Sequence, residues 1–464
     1  MIFTLNTNAM KLLSKPIILI LFLLFILFRT AFAQSANDLS KPIAPELLQQ
    51  DFTSLHDTLQ KIHAGLYRYK SKAEVDRLFD RCFKKLDHPM TEVAYFAIIS
   101  RLISGIEDGH TECFLPKDFI NQFITQVKLF PIQPRFIGEK AYVPCDTKEF
   151  PAGTELLAID HRSIGTIRKR LFEHLSSDGG IQTEKYVKVN DGHDPFAYLY
   201  DVVYGTQENF EVKYKTVGGT TAVKTIAGDY LKNMECPSPG RVIPNRYLEL
   251  AYQPGNIAVM TIRTFANEYL VQTKENLTDF LAASFKELEN KKIGRLIIDL
   301  RENGGGNDSN GALLYSYLTD HPFAYYASLS STTKAIKDHP DLVELQQPHK
   351  GNYKGKVVFL TSGKSFSGAA EFSSIARTNN RGAFVGEETG GGYYGNTSGN
   401  KITFFLPNTQ IKVNIPLFKY VMAVRKAKYK DRGTIPDYLI VPTMNDIIQH
   451  HDIQMDFALQ LAAK

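Results

Sequence analysis

No CxxC pair, no Cys/His ligand spacing, no internal repeat and no low-complexity tract occur in these 464 residues. The first two absences remove the common structural zinc sites, and the last two remove solenoid and disordered architectures. A strong charge of either sign is also missing. Without residues 1–33, the chain carries 51 basic against 49 acidic residues, a balance of +2 that gives no footprint for a nucleic-acid partner. Cys82, Cys113, Cys145 and Cys236 lie far apart, which leaves both one or two disulfides and buried thiols open. A membrane-length apolar run is absent as well. Pro16 to Phe28 spans 13 residues, short of the roughly 20 a crossing helix needs. Lys11 and Lys15 precede it and Ala31-Phe32-Ala33 follows, the pattern of a secretory signal peptide over residues 1–33. The expectation is export to a periplasmic or extracellular space with no stable membrane insertion after cleavage; an uncleaved anchor is the alternative. No Cys stands at the cleavage point to take a lipid.

What is present is the composition of a folded globular protein, 43% hydrophobic, 22% charged and 11% aromatic, long enough for two or three domains. Between Glu46 and Ile106, apolar residues recur at helical spacing and predict three amphipathic helices, the third starting at Thr91. Residues 34–122 are read as an N-terminal helical region. From 123 to 229 the texture turns strand-like, with AYVPC, GTELLAID and a hairpin turning at Gly218-Gly219, and predicts a small β-rich module. Residues 230–464 alternate strand and helix, as in IAVMTIRTF, RLIIDLR and GKVVFL, and predict an α/β core with chemistry on the loops at its strand ends.

Four segments carry candidate chemistry. SGKSFSGAAEF, residues 362–372, holds Ser362, Ser365 and Ser367 between a strand and a helix. A P-loop would need Gly where Val358 stands, and neither Ser365 nor Ser367 satisfies GxSxG. A helix N-terminus there directs free N–H groups at the turn, so a serine is either a helix cap or a nucleophile. IIDLRENGGGNDSNG, residues 297–311, ends a strand in three glycines suited to an oxyanion site, a phosphate or a tight turn. GIEDGHTECF, residues 105–114, offers His110 as a general base or as a structural histidine; the other histidines lack such a context. GEETGGGYYGNTSGN, residues 386–400, is a glycine-rich loop whose Gly391, Gly392 and Tyr393 either line a peptide groove or form plain surface.

Taken together, DGHT, DLRxNGGG, SFSGAAEF, GEETGGG and RGTIPD (Arg432 to Asp437) stand in the order found in the tail-specific, or C-terminal processing, serine peptidases. The chain resembles most the branch holding the tricorn protease core and the interphotoreceptor retinoid-binding protein repeats, from about residue 46 to its end. The resemblance implies a crotonase/Clp-peptidase-like α/β spiral core with an inserted PDZ-like domain, which residues 123–229 would supply. It places the nucleophile on Ser367 and oxyanion donors on the Gly368 and Gly305 amides, since relatives carry Pro at the position of Gly304 and Pro has no N–H. The lysine-dependent branch puts its base where this chain has Gly392, so no Ser/Lys dyad can form. The tricorn-like branch uses His, matched by His110. The orienting Glu of that branch is replaced by Lys430, with Asp431 beside it as the substitute.

The expectation is an exported serine endopeptidase that cuts extended peptides or unfolded proteins through an acyl-enzyme, with no metal or organic cofactor implied. The β-rich module would hold a peptide by strand addition. Two rivals stand beside it: a binding protein that kept the fold and lost the chemistry, and acyl-CoA chemistry of the crotonase kind, which has no need of Ser367.

Overall fold

The computed structural model describes residues 39–191, 195–236, 244–333 and 340–464, so the expected signal peptide lies outside the described residues. No helix among the described residues is long and apolar enough to cross a membrane. The three N-terminal helices are present as Pro45–Ile62, Lys72–Phe83 and Glu92–Ile106. In the first, Leu48, Phe52, Leu55 and Leu59 recur every three or four residues and are buried as one stripe. Ser71 and Glu74 form a reciprocal capping box on the second, and Thr91 accepts from the Ala94 amide to start the third. That third helix ends at Glu107, whose φ of 64° reverses the chain. The strand Glu112–Phe114 follows and pairs antiparallel with Lys412–Met422. The N-terminal region is thereby stitched into a sheet formed near the other end of the chain.

Residues 123–229 are less purely β than their texture suggests. The strands Arg135–Ile137, Lys140–Tyr142, Glu155–Ile159, Asn209–Lys215 and Thr221–Ala227 form an antiparallel sheet, joined by the short Arg162–Ser163. Three helices intervene, Ile164–Phe172, Thr183–Asn190 and Phe196–Tyr204. The last reads FAYLYDVVY, a run of aromatic and β-branched residues whose local preference is for strand. Burial wins instead: Phe196, Leu199 and Tyr200 share one core with the sheet residues Leu156, Ile159, Phe210 and Val212. The expected hairpin is there, with Gly219 at φ 91° and its amide donating to the Thr216 carbonyl at 2.9 Å.

One disulfide forms, Cys145–Cys236, while Cys82 and Cys113 remain thiols. The bridge closes the module across a separation of 91 residues. A loop of that length predicts that replacing both cysteines by serine costs roughly 4 kcal/mol, if the cross-link acts through unfolded-state entropy. Urea unfolding with and without reductant reads this directly, and a midpoint indifferent to reductant would refute it.

The core sheet runs in the order Tyr438–Leu439, Ala383–Gly386, Lys356–Thr361, Arg295–Asp299, Ile257–Ile262, Leu248–Gln253. All neighbours are parallel except the last pair, an antiparallel hairpin. Helices cover both faces. Ala458 and Ala462 of Ile453–Ala463 pack on Ile297, Val358 and Leu360, while Phe372 and Ile375 of Gly368–Thr378 join Leu296, Ile298 and Phe359 on the other side. Burial on both faces explains why RLIID and VVFLT read as unbroken apolar runs. Because the strands are parallel, the loops after Ile262, Asp299, Thr361 and Gly386 all emerge at one end of the sheet.

Candidate active site

The three serines after Thr361 have different duties. The Ser362 hydroxyl donates to the Arg301 carbonyl at 2.6 Å, and the Ser365 hydroxyl donates to the Leu300 carbonyl at 2.8 Å. Both fasten the turn to the end of the neighbouring strand. Ser367 stands at the cap position of the helix Gly368–Thr378, yet its hydroxyl makes no capping hydrogen bond. Its backbone is held at φ 49° and ψ −126°, a conformation costly for any residue with a Cβ. The Gly368 amide, first in the helix, has no helical acceptor by position.

The glycine loop explains how that backbone is held. Asn303, fully buried, donates from its side chain to the Ile262 carbonyl at 3.1 Å, and its own carbonyl accepts the Phe366 amide at 3.1 Å. Gly305, at φ 95°, sits so close to the turn that a Cβ there would lie 2.7 Å from the Ser367 Cβ. One expectation is corrected here. The Gly305 amide donates to Asn303 Oδ1 at 2.9 Å, so it is spent inside the loop rather than offered as an oxyanion donor. The loop bridges to Phe265 through the Gly305 carbonyl and the Asn307 amide, which leaves the Gly306 amide on the opposite edge, toward Gly368.

His110 comes to this turn from the end of the third helix. Asp108 Oδ1 accepts the His110 and Thr111 amides at 2.9 and 3.1 Å, fixing the loop. The imidazole stacks on the Phe366 ring, centroids 4.5 Å apart, next to Ser367. His110 and Ser367 share no hydrogen bond, and the His110 Nδ1 is buried without one. Burial, with Lys188, Lys401 and Arg68 around it, lowers the imidazole pKa, so the ring is neutral near pH 7. The carboxylates beside it are Asp108 and Asp178, each with an oxygen within 4.8 Å of a His110 ring nitrogen.

Asp178 was not singled out by sequence reasoning. It accepts the Gly109 amide at 2.9 Å and the Gly392 amide at 3.1 Å, so one carboxylate joins the histidine loop to the second glycine loop. Burial and the charge of Asp108 raise its pKa. The only local signal is SSDGG, residues 176–180, an acid ahead of a glycine pair. His63, also passed over, lies behind Thr111, with Nε2 and the Thr111 hydroxyl 2.8 Å apart. Burial pushes its pKa down to about 4, so it is neutral.

Asp431, the expected third member, is exposed and makes no hydrogen bond or ion pair with His110. Its backbone carbonyl accepts the Gly180 amide at 2.8 Å, and its carboxylate packs against Gly180. The physical reason is that the segment's backbone is held by the Gly180 amide and packed against Gly179, which fixes Asp431 at the surface. The second glycine loop differs from expectation too. Gly391, Gly392 and Tyr393 are buried, and Tyr393 is only 7% exposed. A Cβ on Gly391 would stand 3.1 Å from the Ser367 amide and 2.7 Å from the Ala370 Cβ. These residues form the wall that supports the serine turn instead of an open groove.

Glu371, one turn into the helix after Ser367, is buried, accepting from the Tyr326 hydroxyl at 2.8 Å and the Asn396 amide at 2.7 Å. Burial, and then the charge of Asp308, raise its pKa. A cleft of about 960 Å³ opens between the β-rich module and the core, bordered by Gln182, Tyr186, Ser362, Lys364, Glu387 and Arg432.

Residues 256–440 match peptidase family S41. The tail-specific protease of Haemophilus influenzae (strain ATCC 51907 / DSM 11121 / KW20 / Rd) is 27% identical over 191 residues, 40% of this chain. That match spans only about a quarter, 24%, of the relative's own length. Among solved structures, a serine-to-alanine mutant of CPAF has a TM-score of 0.64 at 15% identity, covering 90% of this chain and 97% of its own. Mature CPAF complexed with lactacystin has a TM-score of 0.61 at 15% identity, covering 90% and 98%. At that identity the likeness speaks for the mixed α/β fold alone. The stretch that matches peptidase family S41, residues 256–440, contains the serine turn and both glycine loops.

Proposed function

We propose that this protein is an exported serine endopeptidase that hydrolyses extended peptides or unfolded proteins through an acyl-enzyme on Ser367, with His110 as general base. The observation that carries the reading is Ser367 itself. Of three serines in one turn it is the one whose hydroxyl is not fastening the fold, and it is held in a strained backbone at a helix N-terminus beside a neutral imidazole.

In the reaction, the Ser367 Oγ attacks the scissile carbonyl while His110 takes its proton, then returns it to the leaving amine. The developing oxyanion is met by the Gly368 amide and by the Gly306 amide, which takes the place first expected for Gly305. Asp178 and Asp108 stabilise the imidazolium that forms beside them. The absence of a His110–Ser367 hydrogen bond calls for a small ring movement when substrate enters, since such bonds tighten in the substrate complex. The cleft beside Ser362 and Lys364 is the route for an extended chain, and the β-rich module, read as PDZ-like, holds a segment by strand addition. Export is supported by the leader pattern and by the Cys145–Cys236 bridge, a bond that persists in oxidising compartments.

The second reading, a peptide-binding protein without turnover, is favoured by that same missing hydrogen bond and by the spent Gly305 amide. A fluorescent phosphonate probe separates the two. The mature protein should label on Ser367, with labelling slowed at least about 100-fold in His110→Ala. An unlabelled protein that still binds unfolded polypeptide would establish the second reading.

A further inference from the structure

His110 sits beside two acids, and one ligand atom from each of Asp108, His110 and Asp178 lies within 4.8 Å of the others. We infer that this trio binds a divalent transition-metal ion of the zinc class, and that the bound ion withholds His110 from proton transfer. The switch rests on the peptidase reading; the metal site does not.

The donor set is one imidazole nitrogen and two carboxylate oxygens, which suits Zn²⁺ or Co²⁺ and is too few oxygens for Ca²⁺. Two of the donors have spare capacity. The His110 Nδ1 is buried with no hydrogen bond, and Asp108, 3% exposed, has only Thr397 and His63 near its second carboxylate oxygen. His63 Nε2 is 3.4 Å from that Asp108 oxygen but meets the Thr111 hydroxyl at 2.8 Å instead. The second layer is built as metal sites require. Backbone amides of His110 and Thr111 orient Asp108, and those of Gly109 and Gly392 orient Asp178.

Closing a tetrahedral shell brings ligand atoms to about 3.4 Å from one another, so the three side chains need move by only about 1 Å. Arg68 opposes the ion, since its charge reaches both acids, while Lys188 is ion-paired to Glu184 at 3.0 Å. The cation therefore weakens a site that two carboxylates favour and makes binding reversible. Occupancy abolishes base function whichever ring nitrogen is taken: a metal on one nitrogen blocks it and withdraws electron density from the other.

The test titrates Co²⁺ into the Ser367→Ala protein, where no turnover intervenes. Binding should give visible d–d absorption that saturates at a single ion and is displaced by Zn²⁺, and Asp178→Asn and His110→Ala should each weaken it at least about 10-fold. In wild type, Zn²⁺ should slow phosphonate labelling at least about 10-fold, with recovery on chelation. No Co²⁺ spectrum, or one indifferent to Asp178→Asn, would overturn the site. The wild-type spectrum keeps the test decisive even where a variant fails to fold. Binding without slowed labelling would overturn the switch, and a metal-free protein that never labels would count against the peptidase reading alone.

Discussion

Replacing Ser367 by glycine is expected to abolish peptide hydrolysis and phosphonate labelling while making the fold more stable by about 1 kcal/mol. At φ 49° and ψ −126° a side chain is strained, and only glycine adopts that backbone freely. Relief of the strain is worth about 1–3 kcal/mol, and the extra unfolded-state freedom of glycine returns about 0.5–1 kcal/mol of it. Ser367→Ala keeps the strain and loses the hydroxyl, so activity disappears with stability unchanged within about 0.5 kcal/mol. The ordinary duty of a serine at this position predicts the reverse sign. A capping hydroxyl lost to alanine costs about 0.5–2 kcal/mol, but this hydroxyl makes no cap hydrogen bond. Urea unfolding of the three proteins, run beside hydrolysis of an unfolded substrate, distinguishes the two roles. A destabilised Ser367→Gly, or labelling that survives in Ser367→Ala, would end the assignment.

The parts of the fold that were legible in the sequence are those decided by local periodicity. Leu48, Phe52, Leu55 and Leu59 announce a helix, and RLIID and VVFLT announce strands buried on both faces. FAYLYDVVY misleads because its composition favours strand and only packing against Phe210 and Val212 makes it a helix. The site divides in the same way. Ser367, His110 and Gly368 lie in motifs whose order marks them, and the structure brings the His110 ring onto Phe366. Asp178 lies in no such motif. Its meaning comes from amides 69 and 214 positions away, a relation no local pattern carries. Gly305 shows a third limit: residue type identifies the loop, but the direction of each amide depends on Asn303 capturing one of them. Asp431 stands one residue from the position expected for the glutamate, and with its carbonyl held by the Gly180 amide and Gly179 packed on its backbone, the residue stays exposed.

Gly305→Ala is expected to cost about 3–5 kcal/mol and to lower hydrolysis by more than about 100-fold, whereas Gly304→Ala, one residue earlier, changes neither appreciably. A Cβ on Gly304 meets nothing within 4 Å. On Gly305 it would lie 2.7 Å from the Ser367 Cβ, 2.8 Å from the Gly368 amide nitrogen and 2.8 Å from the Phe366 carbonyl oxygen. Two of those three atoms are backbone, so no rotamer change relieves the overlap. The φ of 95° adds a second cost that is independent of space. The chain has two ways to respond. The serine turn can retreat, which moves the Gly368 amide and the Ser367 hydroxyl off the line to His110. Alternatively the glycine loop can rotate, which breaks the Gly305–Asn303 bond and the bridge to Phe265. Either response separates the parts on which the proposed chemistry depends, so stability and activity fall together. That concerted loss is the signature to look for, since Ser367→Gly is expected to move the same two quantities in opposite directions. A Gly305→Ala protein with unfolding midpoint and hydrolysis both matching Gly304→Ala would mean that the close approach of the two loops is not what positions the nucleophile.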